Sequence, residues 1–157
     1  MKQFLRSWWP ALVWAAVIFT LSTDSFSAAH TGTIIGRIVA WAIPSLTASQ
    51  LELVNYAARK TAHFTEYFVF YVCLFHGFRG GRKGWRWSWA LAALVIAAGY
   101  ACLDEVHQAF VASRTASPWD SLLDSFGAFL SAAIVRLWYF KHPPASSAPA
   151  SSPDLAT

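Results

Sequence analysis

The sequence predicts an all-α integral membrane protein in which four transmembrane helices form a bundle. Hydrophobic residues make up 56% of the 157 residues and charged residues only 13%, whereas a typical soluble domain has roughly 25% charged residues. The apolar residues fall into four runs, each about the 20 residues that a helix needs to cross the hydrocarbon core. Most of the nine tryptophans lie at the ends of these runs, as expected for residues at a membrane interface.

The transmembrane domain is predicted to cover residues 1–141, with spans at about 4–22, 60–79, 86–104 and 120–140. The first span starts like a signal peptide, but no small-residue cleavage site follows it cleanly and its tryptophans are bulky for such a segment, so we expect a retained helix. Residues 31–44 are too few to cross and predict a short amphipathic or re-entrant outer segment. A further helix, capped by Thr47 or Ser49, is expected to lead into the second span. Residues 142–157 are rich in proline, serine and alanine and predict a disordered cytoplasmic tail.

The distribution of charge predicts the orientation. In the four-span arrangement, basic residues are concentrated on the side that holds both termini and the connection between spans two and three, whereas the acidic residues lie almost entirely on the other side. The positive-inside rule therefore places both termini in the cytoplasm, with the protein in the cell inner membrane. The net charge of +4 is attributed to contact with anionic lipid and not to nucleic-acid binding. The two cysteines, Cys73 and Cys102, are expected to be buried free thiols.

Ionisable residues are costly near a bilayer, yet three predicted helices each carry a polar stripe at their outer ends. On the second span, Lys60, His63, Glu66 and Tyr67 lie within about 60° of His63 around the helix. The stripe at the end of the third span consists of Asp104, Glu105 and Gln108, and the stripe at the start of the fourth consists of Asp120 and Asp124. Arg114 lies between these two stripes in the sequence. We expect the stripes to meet in one outward-facing pocket, with His63 within reach of Asp104 or Asp120.

The motifs KTAHFTEY and DEVHQAFVASRTASPWDSLLDSFG resemble those of the VanZ-like membrane proteins. The corresponding residues here are Lys60, His63, Glu66, Tyr67, Asp104, Glu105, Gln108, Arg114, Asp120 and Gly127, and Ser22 at the end of the first span also fits. The resemblance covers about residues 8–140 and implies an integral membrane protein of the cell envelope. The family name comes from a member implicated in teicoplanin resistance. Antibiotic resistance does not transfer to this chain by resemblance, and neither does a reaction. Asp124 stands where the family often has asparagine.

Three functions are compatible with these residues. In the first, the pocket binds a membrane lipid head group, a lipid-linked precursor or a glycopeptide: Lys60 and Arg114 take its anion, while Asp104, Glu105, Asp120 and Asp124 hold cationic or hydroxyl groups. His63, Glu66, Tyr67 and Gln108 complete this predicted ligand-binding set.

The second function is a membrane-embedded enzyme with His63, Glu66 and Asp104 as candidate catalytic residues. A variant of it places a divalent cation on Asp104, Glu105, Asp120 and Asp124. The third is an ion- or proton-coupled transporter, against which the small number of spans argues. No nucleophile elbow, HExxH, P-loop or CxxC motif supports a named reaction, and no cofactor is predicted. We therefore favour the binding protein.

Overall fold

The computed structural model describes residues 2–23, 36–112 and 116–143, and these residues contain helices and no strand. There are four long helices, and a short helical segment at residues 36–42, here named α2, lies between the first and the second of them in the chain. The long helices are α1 (Lys2–Leu21), α3 (Ala48–Arg79), α4 (Trp87–Ala109) and α5 (Pro118–Lys141). The all-α prediction is confirmed. Most of the predicted disordered tail, and residues 31–35 of the outer segment, lie outside the described residues.

Helix α3 is longer than the predicted second span because the expected short helix before it is continuous with it. Of the two expected N-caps, Thr47 is the one observed, and it forms a capping box with Gln50. The Thr47 hydroxyl accepts from the Gln50 backbone N–H, and the Gln50 side chain accepts from the Thr47 backbone N–H. The 32 residues of α3 span about 48 Å at 1.5 Å per residue. The helix ends at Gly80, whose φ of +56° is left-handed and favours glycine.

Long helices that follow one another in the chain alternate in direction. Trp14 contacts the Glu66 backbone and Gln3 contacts Gly80, so α1 and α3 are antiparallel. Arg79 donates to the Tyr139 hydroxyl over 2.7 Å at the end of the α3–α5 interface opposite the residues of the motifs, so α3 and α5 are parallel. Helix α4 runs parallel to α1 and antiparallel to the other two. The C-terminal ends of α1 and α4 therefore lie level with the N-terminal end of α5 and with residues 60–67 of α3.

The interior of the bundle combines aromatic residues from α3 with small residues from α4. Buried alanines recur every three or four residues along α4, so they form one face of the helix: Ala90, Ala93, Ala97 and Ala101. Opposite them, α3 buries Tyr67, Phe70, Tyr71, Leu74 and Phe75. Small side chains allow helices to approach closely within a membrane, and this face accommodates the large rings. Cys73 is half-buried, but the expectation that Cys102 is buried was wrong, since it is exposed on α4.

Three of the described helices are long and apolar enough to cross a membrane: α1 from Gln3 to Leu21, α4 and α5. Their outward faces carry large apolar side chains such as Leu12, Val95 and Phe129, which are exposed in the isolated chain. Apolar residues that are directed outward suit a lipid environment and not water. The chain is thus a multi-pass, membrane-associated protein. Helix α3 does not reach the same apolarity because it contains Lys60, His63 and Glu66.

Candidate functional site

The first polar contact between α3 and α5 is an ion pair. The Lys60 ammonium group donates to Asp120 Oδ1. Asp120 lies in the first turn of α5, after the N-cap Ser117 and Pro118, where the helix dipole favours a negative charge. The Asp120 side chain is 7% exposed and that of Lys60 is 26% exposed. This pair therefore lies at the outer edge of the helix interface, with its ammonium group still open to solvent.

One turn deeper along both helices, His63 faces Asp124. Their Nδ1 and Oδ2 atoms are 3.6 Å apart, and the Asp124 side chain has no exposed area. That distance is too long for a direct hydrogen bond but short enough for strong electrostatic coupling. Among the described residues, Asp124 has the only carboxylate within 4.0 Å of His63; Asp120 acts on it from further away. The structure thus pairs His63 with Asp124, and not with the expected Asp104 or Asp120.

A glycine allows this close approach of the two helices. A Cβ atom placed on Gly127 would lie 2.5 Å from the backbone oxygen of Phe64, the residue after His63. Gly127 follows Asp124 by three residues, so the tight contact is next to the His63–Asp124 pair. Gly127 thus permits close helix packing, and any larger residue there would separate the helices that carry both pairs.

Helix α4 contributes two carboxylates and an amide. Gln108 Nε2 donates to Asp104 Oδ2 over 3.0 Å and to the Ser22 hydroxyl over 3.3 Å, which ties the end of α4 to the end of α1. Glu105 Oε2 accepts from the backbone N–H of Ser117 over 2.8 Å and so holds the start of α5. These contacts explain why residues at the end of α4 are buried although they are strongly polar.

Two further predicted residues, Tyr67 and Glu66, lie between these groups. Tyr67 has no exposed area and interacts electrostatically with Asp104, Asp124 and Glu66. Glu66 is half-buried, and its backbone oxygen accepts from Trp14 Nε1 over 2.8 Å. Tyr67, Glu66 and the seven polar residues described before them form one set of interacting side chains, here named the polar layer: Lys60, His63, Glu66, Tyr67, Asp104, Glu105, Gln108, Asp120 and Asp124.

The polar layer contains buried atoms with no hydrogen-bond partner within the described part of the chain. They are the Tyr67 hydroxyl, Glu105 Oε1, His63 Nδ1 and both carboxylate oxygens of Asp124. Leaving such groups unpaired costs roughly 1–3 kcal/mol each, so a native protein normally supplies them with water or a ligand. These atoms include both hydrogen-bond donors and acceptors, so a ligand that satisfies them must itself carry both acceptors and donors.

The comparisons with known proteins identify the family of the chain. The family model described as VanZ/LLP1 matches residues 7–139, which include all four long helices except for a few terminal residues. The chain belongs to the VanZ/LLP1 family. Neither a curated protein nor a solved structure matches the chain. Family membership and three membrane-type helices make this a VanZ-like membrane protein.

Nine of the ten residues of the predicted ligand-binding set lie in the polar layer. The tenth, Arg114, belongs to residues 113–115, which are outside the described residues. The divalent-cation variant has no geometric support, because the described residues contain no group of three or more His, Cys, Asp or Glu side chains placed to hold a metal ion.

Sequence reasoning did not identify two supporting groups. The Trp14 indole binds the backbone of α3 beside the polar layer, and a tryptophan in the middle of an apolar span is a detectable signal, because its N–H needs an acceptor there. The second group is the backbone N–H of Ser117, which holds Glu105. A backbone donor carries no signal in the sequence.

Proposed function

We propose that this VanZ-like protein binds the polar head group of an anionic or zwitterionic envelope molecule at the polar layer. Candidate molecules are a lipid head group, a lipid-linked precursor and a glycopeptide. The observation that carries the proposal is the set of buried atoms without partners, which comes from α3, α4 and α5 at one depth. A head group with several donors and acceptors would satisfy these atoms together.

The charge of the polar layer favours a ligand with a cationic or hydroxyl-bearing part. Four carboxylates surround the site on α4 and α5, whereas the described part of the layer holds one ammonium group and one imidazole. The carboxylates would accept from an ammonium or hydroxyl group of the ligand. Lys60 donates one of its three N–H groups to Asp120, so two N–H groups remain for a phosphate or carboxylate of the ligand. Arg114 is expected to supply a second cation from the connection before α5.

Helix α3 is inferred to be the fourth span. It packs against α1, α4 and α5, and its length of about 48 Å exceeds the roughly 30 Å of the hydrocarbon core. Its polar residues lower its apolarity, but His63 and Tyr67 face the bundle and not lipid. Polar residues of a spanning helix are tolerated when they face other protein groups. The first turns of α3, before Lys60, would then project beyond the membrane.

The ends of the bundle differ in charge, and this difference supports the predicted orientation. Within the described residues, the acidic groups lie at the level of the polar layer or beyond it, and the connection between α3 and α4 carries Arg79, Arg82, Lys83 and Arg86. The positive-inside rule places this connection and both termini in the cytoplasm. The polar layer would then face the outside of the cell membrane.

An acid–base enzyme is the second candidate, and the His63–Asp124 pair favours it. Asp124 faces Nδ1 of His63, which leaves Nε2 for a substrate, and an orienting carboxylate behind an imidazole is typical of a general base. The 3.6 Å distance from His63 Nδ1 to Asp124 Oδ2 supports Asp124, in place of Glu66 or Asp104, as the carboxylate that would orient the ring. The binding function is preferred because the sequence carries no motif of a named reaction, whereas the buried atoms without partners suit the donors and acceptors of a head group.

Native mass spectrometry of protein extracted in mild detergent tests the proposal. Lys60→Met should lose a ligand that co-purifies with the wild type, by about tenfold or more, because charge-assisted hydrogen bonds to the anion are lost. Lys83→Met makes the same change at an exposed position at the other end of the bundle and should retain the ligand. His63→Gln should retain most of it, since glutamine still forms hydrogen bonds, with His76→Gln as the exposed control on the same helix.

Two results would contradict the binding function. Retention of the ligand by a folded Lys60→Met protein would show that the ammonium group does not hold it. Alternatively, the wild type and His63→Gln could carry ligands of different mass, with Lys60→Met unchanged. That pattern means that His63 converts a substrate to a product, and it would favour the enzyme.

A further inference from the structure

A groove runs between α4 and α5 at the end of the bundle opposite the polar layer. Its volume is about 430 Å³, and its lining includes Leu94, Phe129 and Ala133. It extends from Phe129 to Leu137 along α5, about 12 Å at 1.5 Å per residue. Arg136 is the one charged residue in its lining. The groove is therefore an apolar channel on a membrane-type face that ends at a cation.

Arg136 is half-buried and makes no hydrogen bond or ion pair with any other described residue. Its neighbours are aromatic: its guanidinium carbon lies 5.7 Å from the Trp85 ring and 5.8 Å from the Trp87 ring. Cation–π contacts hold a guanidinium in place without using its five N–H donors. Two other arginines at this end differ, since Arg79 donates to Tyr139 and Arg82 to the Phe78 backbone; Arg86 lies over Trp89 and does not line the groove. Arg136 is thus held in position with its donors free.

The position of Arg136 corresponds to the depth of a lipid head group. It follows Asp120 by 16 residues on the same helix, which is about 24 Å, and the polar layer and Arg136 therefore lie near opposite faces of a hydrocarbon core roughly 30 Å thick. No acidic residue of the described chain lies at this end, whereas Arg79, Arg82, Lys83 and Arg86 do. The local charge is complementary to a phosphate and would exclude a cationic group.

We propose that the groove between α4 and α5 binds one anionic phospholipid, with an acyl chain along the apolar lining and the phosphate on Arg136. A phospholipid fits because it presents both features in one molecule, an apolar chain that matches the groove and an anion at its end. Free inorganic phosphate would not use the groove, and a peptide would leave backbone polar groups unpaired in it. This site is independent of the polar layer.

The test uses the full chain in mild detergent with equal amounts of phosphatidylglycerol and phosphatidylcholine, followed by native mass spectrometry. The wild type should retain phosphatidylglycerol preferentially. Arg136→Gln should reduce that preference about tenfold, because a charge-assisted contact with the phosphate is lost. Lys141→Gln removes the same charge from the exposed end of α5 and should leave the preference intact. Ala133→Phe fills the groove and should reduce retention of both lipids, whereas Val95→Phe, on an exposed face of α4, should not.

The outcomes separate this site from general attraction. Equal losses for Arg136→Gln and Lys141→Gln would mean that the basic end attracts anionic lipid without a specific site, and the proposal would fall. If Ala133→Phe retained both lipids as the wild type does, the groove would not be where the lipid binds, and the proposal would be wrong. Millimolar inorganic phosphate should not displace the lipid from the wild type, and displacement would show that a bare anion is what Arg136 binds.

Discussion

Replacement of Gly127 by alanine tests the central feature of the structure, the close contact between α3 and α5. The new Cβ atom would lie 2.5 Å from the Phe64 backbone oxygen, and contacts under 3.0 Å are essentially never seen for real Cβ atoms. A backbone oxygen cannot rotate away, so the helices must separate by roughly half an ångström or more. Such overpacking costs about 1–3 kcal/mol. At roughly 2–4 °C per kcal/mol for a chain of this size, Tm should fall by about 2–12 °C.

Two other glycines provide a graded comparison in the same thermal melt, recorded in one detergent by size-exclusion chromatography after heating. A Cβ atom on Gly77 would lie 2.9 Å from the Trp8 ring, a side chain that can move, so Gly77→Ala should cost less than Gly127→Ala. A Cβ atom on Gly99 meets nothing within 4 Å. Gly99→Ala should leave Tm unchanged or raise it, because alanine is the better helix former by about 1 kcal/mol.

The Gly127 variant should also lose ligand, since the gap between His63 and Asp124 widens with the helix separation. A Tm for Gly127→Ala equal to that of the wild type, or no lower than that of Gly99→Ala, would refute the reasoning. It would show that α3 and α5 do not approach at Gly127 as described, and the arrangement of the polar layer would then be wrong as well.

Two further predictions concern the Lys60–Asp120 ion pair and the orientation. Lys60→Met alone should destabilise the protein by about 1–3 kcal/mol, because the Asp120 carboxylate is nearly buried and keeps an uncompensated charge. The double variant Lys60→Met/Asp120→Leu should regain much of the lost Tm but not the ligand. Additive losses in the double variant would show that the two side chains do not interact. In a cysteine-free background, a cysteine introduced at Ser49 should react with an impermeant thiol reagent on intact cells, and one at Ser88 should not. The reverse pattern would place the polar layer on the cytoplasmic side.

The sequence by itself was sufficient for the membrane class and for the family resemblance. Both depend on local properties: apolar runs of spanning length, and short motifs within single helices. The start of α3 was predictable for the same reason, because a capping box such as that of Thr47 and Gln50 involves residues three apart.

Helix periodicity also indicated that the polar stripes should meet, but it did not determine their partners. His63 was expected near Asp104 or Asp120, and it faces Asp124 instead. The choice depends on the axial offset between two helices that are 60 residues apart in the chain. The Gly127–Phe64 contact sets how closely they approach, and no pattern within one helix encodes that quantity.

The groove beside Arg136 was likewise invisible in the sequence. Arg136 was counted only as one of several basic residues that set the orientation, since sequence position shows charge but not which donors remain free. Tertiary packing determines the difference. Arg79 and Arg82 donate hydrogen bonds to acceptors within the chain, whereas Arg136 lies against the rings of Trp85, just before α4, and Trp87, at its start. Local patterns thus determine where the helices are, and the relative placement of distant helices determines which polar groups are satisfied within the protein and which remain available to a ligand.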